Sequence, residues 1–154
     1  MNKNLNGFSI SEQLFAWIGE NIPIGSVILE LGSGSGTIEL CKYYTVYSVE
    51  HDEKFIGLSR SNYIHAPIKS GWYDVEILKK QLPEKYDLLL IDGPPGTIGR
   101  HKFFENIHLF RTNIPVIFDD THRKAEKETA MKTAAFLGRP YQQFSSNKKS
   151  FIVC

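Results

Sequence analysis

The sequence predicts an α/β protein with a doubly wound, mostly parallel sheet of seven strands, helices on both faces and an antiparallel last strand. Two observations support this prediction. Short apolar runs of strand length alternate with polar, helix-compatible stretches, and two apolar runs with no helix between them close the chain. Alternation of this kind implies parallel crossover units, in which ligands bind at the carboxyl ends of the strands.

Size and charge exclude several classes of protein. The chain has 154 residues, so we expect a single domain over residues 1–154, with an N-terminal helical segment at 1–25 and the sheet at 26–154. The net charge of +1 gives no electrostatic argument for nucleic acid or a membrane surface. No apolar run has the length of a signal peptide or a membrane span, which predicts a soluble, cytoplasmic protein.

The individual elements follow from the apolar pattern and its breaks. A helix is predicted to begin at Ser11 and to end at Pro23 and Gly25, with an apolar face formed by Leu14, Phe15, Trp17 and Ile18. Strands are predicted at residues 26–31, 45–49, 63–66, 86–91, 116–118, 141–144 and 151–153. Further helices are predicted at residues 37–42, 53–60, 73–81, 102–110 and 123–137. The Gly-Pro-Pro-Gly segment at 93–96 forces a loop, because proline donates no backbone hydrogen bond.

The turn after the first strand is rich in glycine, with Glu30 followed by Gly32, Ser33, Gly34 and Gly36. Such a turn bends sharply and brings backbone N–H groups close to a ligand. Its spacing differs from the G-x-G-x-x-G of a dinucleotide-binding turn. The acid two residues before the first glycine repels a pyrophosphate and suits a ligand that carries an ammonium group. A tight turn that serves only packing is the alternative.

A second acid, Glu50, stands at the end of the second strand. It follows Glu30 by about 20 residues, a position where a carboxylate can accept both hydroxyl hydrogens of a ribose. The two acids together favour a nucleoside that also carries an amino acid, and a solvated surface acid is the alternative. With residues 30–36 and Glu50, the sequence resembles class I S-adenosylmethionine-dependent methyltransferases, whose Rossmann-like strand order also covers nearly the whole chain.

The resemblance implies a methyl-donor site at these residues. The turn at residues 32–36 would lie against the methionine portion of S-adenosylmethionine, and Glu50, followed by His51, would hold the ribose. Adenine contacts are expected after the third strand, at Trp72 and Tyr73, since an aromatic ring can stack on adenine. Aromatics of the core or of a helix start are the alternative at these two positions.

Three carboxylates follow the fourth and fifth strands, Asp92 after the fourth and the pair Asp119 and Asp120 after the fifth. Carboxylates at neighbouring strand ends repel one another unless a cation or protons neutralise them. Their hard oxygen atoms favour Mg²⁺ as the ligand, with Mn²⁺ as the second choice. The alternative without a metal is that Asp119 caps the following helix and Asp120 pairs with Arg123 or Lys124.

This arrangement resembles the metal-dependent small-molecule O-methyltransferases of the catechol and macrolide-sugar types. The resemblance implies that the metal binds two vicinal oxygens of the acceptor, lowers the pKa of one hydroxyl and aims it at the methyl carbon. With or without a metal, Asp92 is expected to face the methyl-donor cleft. The sequence departs from both types at Pro95, where they have a lysine or a histidine. His122 and His101 are the candidate bases, and metal activation alone is the alternative.

The leading hypothesis is therefore methyl transfer from S-adenosylmethionine to a hydroxyl of a small acceptor, assisted by Mg²⁺. Basic segments at 100–102 and 123–124 favour an acidic or sugar-like acceptor, with a solvated basic surface as the alternative. We predict no nucleic-acid and no membrane partner, and Phe103 and Phe104 permit a homodimer. The missing base at Pro95 motivates a second hypothesis, a non-catalytic nucleoside-binding module.

Overall fold

The computed structural model describes residues 10–154, so the first nine residues of the predicted N-terminal segment lie outside the described part. Helix α1 spans Glu12–Asn21. It begins where predicted because the Ser11 side chain accepts a hydrogen bond from the backbone N–H of Leu14, at 3.1 Å. Leu14 and Ile18, one turn apart, are buried in the core that α1 shares with the sheet.

The chain contains a large sheet and a short hairpin. The strands are β1 Val27–Leu31, β2 Thr45–Glu50, β3 Asn62–His65, β4 Ile68–Lys69, β5 Trp72–Tyr73, β6 Leu88–Ile91, β7 Val116–Phe118, β8 Gln142–Ser146 and β9 Lys149–Val153. Seven of them form the large sheet in the order β3-β2-β1-β6-β7-β9-β8, while β4 and β5 pair as a separate hairpin. The last strand, β9, runs antiparallel to both β7 and β8, and all other pairs in this sheet are parallel, which confirms the predicted fold class.

Helices cover both faces of this sheet. The other helices are α2 Ser35–Leu40, α3 Val75–Gln81, α4 Lys102–Glu105 and α5 Lys124–Leu137. Alternation along β6 divides the core in two: Leu88 and Leu90 pack on the side of α1 and α2, and Leu89 and Ile91 on the side of α3, α4 and α5. A strand buried on both faces reads as a continuous apolar run, and this is why β6 was the clearest strand in the sequence.

Three of the predicted helices differ from the structure. Residues 53–60 contain only a 3₁₀ helix, Glu53–Phe55, because Gly57 has a φ of 84° and the chain turns there. Tyr73 belongs to β5, and α3 begins two residues later, with Asp74 as its N-cap. The segment 102–110 is divided into α4 and a 3₁₀ helix at Ile107–Leu109.

The carboxyl ends of β1 and β6 lie in close backbone contact. A Cβ added at Gly32, whose φ is 89°, would come within 2.7 Å of the Asp92 carbonyl oxygen. A Cβ at Gly93 would come within 2.7 Å of the Gly32 Cα. Glycine at both positions therefore lets the two turns touch, and this contact brings the glycine-rich turn next to Asp92.

No helix within residues 10–154 is long and apolar enough to cross a membrane.

Candidate active site

A cavity of about 770 Å³ opens at the carboxyl edge of the sheet. It receives residues from four neighbouring strands and the loops that follow them. From β1 and β2 these are Gly32, Ser33, Glu50, His51 and Asp52; from β6 and β7 they are Asp92, Gly93, Asp119 and Asp120. Its size and position match the predicted ligand site of a doubly wound sheet.

Glu50 lies at the β2 end of the cavity, and donors surround its carboxylate. Oε2 accepts from the backbone N–H and the hydroxyl of Ser33, at 3.0 and 2.8 Å. Oε1 accepts from the backbone N–H groups of His51 and Asp52, both at 2.8 Å. These bonds hold the carboxylate in one orientation, although only 2% of Glu50 is exposed.

The other predicted glycines of the turn lie behind the cavity wall. The backbone N–H of Gly34 donates to the Thr37 hydroxyl at 3.0 Å and begins α2. Gly36 lies against Ile10, just before α1, since an added Cβ would come within 2.9 Å of an Ile10 side-chain carbon. Of the predicted turn residues, Gly32 and Ser33 line the cavity, whereas Gly34 and Gly36 hold the turn in place.

Glu30 is buried beneath the turn and does not line the cavity. Its Oε1 accepts hydrogen bonds from the Thr37 hydroxyl at 2.5 Å and from the Ser48 hydroxyl at 2.6 Å. Burial raises the pKa of Glu30 to about 7, against the lowering effect of these two hydrogen bonds. The acid predicted to meet a ligand ammonium group therefore ties β1 to α2 and β2 in this structure.

The two predicted adenine contacts occupy different environments. Trp72 is 1% exposed and packs in the core against Tyr73 and Phe110, so the structure places it away from the cavity wall. Tyr73 lines the cavity beside His51, with a ring separation of 6.5 Å. Its hydroxyl reaches the backbone of Gly93 and has no hydrogen-bond partner among residues 10–154.

Asp92, Asp119 and Asp120 meet at the β6 and β7 end of the cavity. One carboxylate oxygen from each lies within 4.8 Å of the others. Burial, followed by the charge of Asp119, raises the pKa of Asp92 well above its usual range. Burial and the adjacent Asp120 raise the pKa of Asp119 to about 6. The three carboxylates thus repel one another, as the sequence predicted for these strand ends.

A buried arginine that the sequence did not reveal as part of this cluster lies among the carboxylates. Arg100 is 6% exposed, and its Nη2 is 2.9 Å from Asp120 Oδ2 and 3.7 Å from Asp92 Oδ1. Its guanidinium also donates to the backbone carbonyls of Asp92, Asp119 and Pro94. Arg100 therefore joins the loops after β6 and β7, whereas the sequence had suggested that it binds an acidic acceptor.

The metal-free alternative predicted that Asp119 caps α5 and that Asp120 pairs with Arg123 or Lys124. The structure shows the second interaction, with Arg123, and not the first. Asp119 does not cap α5, because its Oδ1 accepts from the backbone N–H of Asp120, and the N-cap residue Arg123 has no side-chain bond to the helix. Asp120 does pair with Arg123, at 3.6 Å, in addition to Arg100. Asp120 has a φ of 58°, a left-handed conformation that aspartate tolerates and that often marks a functional site.

The candidate bases are separated by the fold. His101 lines the cavity, directly after Arg100. His122 is exposed and lines a different depression, of about 340 Å³, formed with the β8–β9 turn. Of the other basic residues, Lys102 donates to the Ser70 carbonyl and Lys124, with a side chain 90% exposed, pairs with Glu128 on α5.

The sequence interpretation missed one acid that lines the cavity. Glu126, in the first turn of α5, is 5% exposed. A helical spacing puts it on the same face as Ala130 and Ala134, which are buried. The buried face of α5 has no large apolar side chain, so the hydrophobic pattern of the sequence did not predict that Glu126 is buried.

Phe103, which the sequence suggested as part of a homodimer surface, is 0% exposed and belongs to the core.

Comparison with known proteins identifies the fold. No protein-family model matches the sequence, and no curated protein sequence matches it. Among solved structures, a methyltransferase from Pyrococcus furiosus is 16% identical, with a TM-score of 0.61, and the match covers 92% of this chain and 79% of that chain.

Two further structures extend this similarity. The magnesium protoporphyrin IX methyltransferase of Synechocystis PCC 6803, solved with bound S-adenosylmethionine, is 17% identical with a TM-score of 0.54, covering 92% of this chain and 76% of that one. An S-adenosylhomocysteine-bound methyltransferase of Podospora anserina is 14% identical with a TM-score of 0.57, covering 94% and 78%. The chain therefore has the fold of class I S-adenosylmethionine-dependent methyltransferases.

Proposed function

We propose that this protein transfers a methyl group from S-adenosylmethionine to a hydroxyl oxygen of a small acceptor. The observation that carries the proposal is the single cavity, which joins the Gly32–Ser33 turn and Glu50 at one end to Asp92, Asp119 and Asp120 at the other. A donor site and an acceptor site must share one space for in-line transfer. The basic side chain of Arg123, which also lines this space, supports an acidic or sugar-like acceptor.

At the donor end, the argument rests on Glu50. Backbone N–H groups fix its carboxylate, so the residue is oriented before any ligand arrives. A ribose hydroxyl reaching this carboxylate would share or replace the hydrogen bond from the Ser33 hydroxyl. The Tyr73 ring would form one wall for the nucleoside, since it lies in the same cavity beside His51.

At the acceptor end, the donor set fits a hard divalent cation. Burial first and the neighbouring aspartates second raise the pKa values of Asp92 and Asp119 although Arg100 lies beside them, so a further cation would favour the ionised cluster. Asp92, Asp119 and Asp120 would hold Mg²⁺. The cation would supply Lewis acidity, lowering the pKa of an acceptor hydroxyl. Arg100 keeps Asp120 in position for this role.

The alternative function is a nucleoside-binding module without catalysis. The observation that favours it is Pro95, which lines the cavity where the resemblance led us to expect a lysine or histidine base. Such a module would bind the donor without transferring its methyl group. Turnover with any hydroxylated acceptor would exclude it.

Calorimetric titration with S-adenosylhomocysteine, with and without Mg²⁺, tests the donor site. We expect micromolar affinity in the wild type and a loss of about 100-fold in Glu50→Ala, because a ribose loses about two hydrogen bonds to a charged group. Glu53→Ala is the matched control, since this nearby acid is exposed. Absence of binding in the wild type would contradict the proposed function, and unchanged affinity in Glu50→Ala would remove Glu50 from the donor site.

A further inference from the structure

Glu126 is an acid that lines the cavity and whose side chain makes no hydrogen bond or ion pair to the rest of residues 10–154. It is 5% exposed and lies in the first turn of α5, where it lines the cavity next to Ala125. No hydrogen bond or ion pair joins its carboxylate to another group within residues 10–154. By contrast, the buried carboxylates of Glu30 and Glu50 each accept two or more hydrogen bonds.

The carboxylate oxygens of Glu126 are reached from the cavity that the residue lines, since they are not fully buried atoms. A carboxylate that lines a cavity and makes no bond to the protein is open to a ligand there. Position supports this interpretation. Glu126 lies in α5, which follows β7, and lines the cavity together with Asp119 and Arg123. It therefore lies at the β7 end of the cavity, opposite Glu50.

The proposed methyl transfer requires a proton acceptor, and Glu126 can serve as one. Methyl transfer to a hydroxyl requires a group that takes the hydroxyl proton. Pro95 supplies none and His122 lines a separate depression, which leaves His101 and Glu126 as the candidate proton acceptors in the cavity beside the aspartate cluster. Glu126 is an acid in the cavity that binds neither Arg100 nor the carboxylate cluster, so its carboxylate oxygens are available to a ligand.

We propose that Glu126 binds the acceptor hydroxyl and accepts its proton. This inference rests on the proposed methyl transfer and assigns to it a base that the sequence interpretation did not contain. The acceptor class that fits is a small polyol or diol, because one hydroxyl would bind Glu126 while a neighbouring oxygen faces the Asp92, Asp119 and Asp120 cluster.

The step balances as follows in atoms and charge. A lone pair of the acceptor oxygen forms the new O–C bond to the methyl carbon, and the C–S bond breaks with its electron pair passing to sulfur. The hydroxyl proton passes to a Glu126 carboxylate oxygen, and the electron pair of the O–H bond stays on the acceptor oxygen. A cationic sulfonium, a neutral hydroxyl and a carboxylate thus become a neutral thioether, a methyl ether and a carboxylic acid. Water then takes the proton from Glu126.

The test uses 4-nitrocatechol, a diol whose binding and methylation both change its absorbance. It is titrated into the protein saturated with S-adenosylhomocysteine and Mg²⁺, and its turnover is measured with S-adenosylmethionine. Glu126→Gln keeps the size of the side chain but cannot accept the proton. Glu128→Gln is the matched control on the same helix, because the Glu128 side chain is 65% exposed. Thermal unfolding of each variant verifies that it folds.

We expect Glu126→Gln to lower kcat by about 100-fold with S-adenosylhomocysteine affinity unchanged. Glu126→Asp should recover part of the rate, and Glu128→Gln should match the wild type. Equal rates and equal probe binding in Glu126→Gln and wild type would overturn the assignment. So would failure of the wild type to bind the diol while it binds S-adenosylhomocysteine, a result that leaves the donor site standing. Failure to bind S-adenosylhomocysteine would instead refute the proposed function, before the diol is added.

Discussion

The two ends of the cavity satisfy their carboxylates in opposite ways. At the β2 end, Glu50 accepts hydrogen bonds from the backbone of three residues and from a hydroxyl. At the β6 and β7 end, Asp92 and Asp119 face each other with raised pKa values, and one arginine partly offsets their charge. The carboxylate at the first end has all its hydrogen-bond donors in the folded protein, whereas the carboxylates at the second end still repel one another.

This difference indicates what each end binds. A carboxylate already surrounded by N–H donors has an acceptor position to share with neutral hydroxyls, as in a ribose. A cluster of carboxylates with raised pKa values gains from a cation or from protons. We therefore expect ligand-binding measurements to separate the two ends, with nucleoside affinity depending on Glu50 and turnover depending on the aspartates.

The largest expected effect comes from removing a carboxylate of the cluster. Asp92→Ala or Asp119→Ala should lower methyl transfer by at least about 1000-fold, because loss of a metal ligand removes several kcal/mol of activation. Affinity for S-adenosylhomocysteine should change by less than about threefold, since neither side chain contacts the Glu50 end. Turnover assays and calorimetry check both statements. Wild-type turnover in either variant would exclude the metal mechanism.

The next prediction concerns the pH dependence of stability. The pKa of Glu30 is raised to about 7 in the folded protein, from 4.5. Its contribution to stability is therefore fully present below pH 4.5 and is lost as the pH rises through 7, in total about 3 kcal/mol. Glu30→Gln should lack this loss.

Urea unfolding of the wild type and Glu30→Gln at pH 5 and pH 8 measures the difference. The aspartate cluster is the same in both proteins, so its own titration cancels in the comparison. Equal pH dependence in the two proteins would mean that Glu30 is ionised in its buried position.

Substitution of His101 and of His122 should have smaller effects on the rate, and the two effects should differ. His101 lines the cavity, so His101→Ala should lower the rate by up to about tenfold through lost positioning of the acceptor. His122→Ala should leave the rate within about twofold, because His122 lines the other depression. Steady-state kinetics of both variants decide the matter. A larger loss in His122→Ala would restore it as a candidate base.

The smallest expected effect is at Ser33. Its hydroxyl donates to Glu50 Oε2 at 2.8 Å, where a ribose hydroxyl would bind. Ser33→Ala removes a bond that a nucleoside must share or displace, so affinity for S-adenosylhomocysteine should rise by about threefold. Calorimetry beside the wild type measures the change. Weaker binding would indicate that the Ser33 hydroxyl contacts the ligand itself.

The strands and their ends were predictable because doubly buried strands leave continuous apolar runs in the sequence. The runs before Gly32, Asp92 and Asp119 located the carboxyl edge of the sheet correctly. The same reasoning failed where a tertiary contact decides the environment. Trp72 was predicted to contact adenine, and the structure instead favours the alternative of a core aromatic. Glu126 was missed because the buried residues of α5 are small or polar and leave no apolar stripe in the sequence.

The position of Arg100 also depended on tertiary contacts. In the sequence it is one of three basic residues after a loop, a pattern typical of an exposed surface. Three backbone carbonyls and the Asp120 carboxylate surround it in the fold. Only the meeting of the loops after β6 and β7 creates that environment, so local spacing gives no indication of it.

Arg100 has a consequence for how the specificity of this protein can change. The Arg100 guanidinium joins the loops after β6 and β7, so an insertion in either loop must preserve its four hydrogen-bond acceptors or leave a buried charge unpaired. Arg123, whose side chain is 45% exposed at the start of α5, carries less of this constraint. Replacing Arg123 is therefore a more accessible route to a changed acceptor than remodelling the two loops.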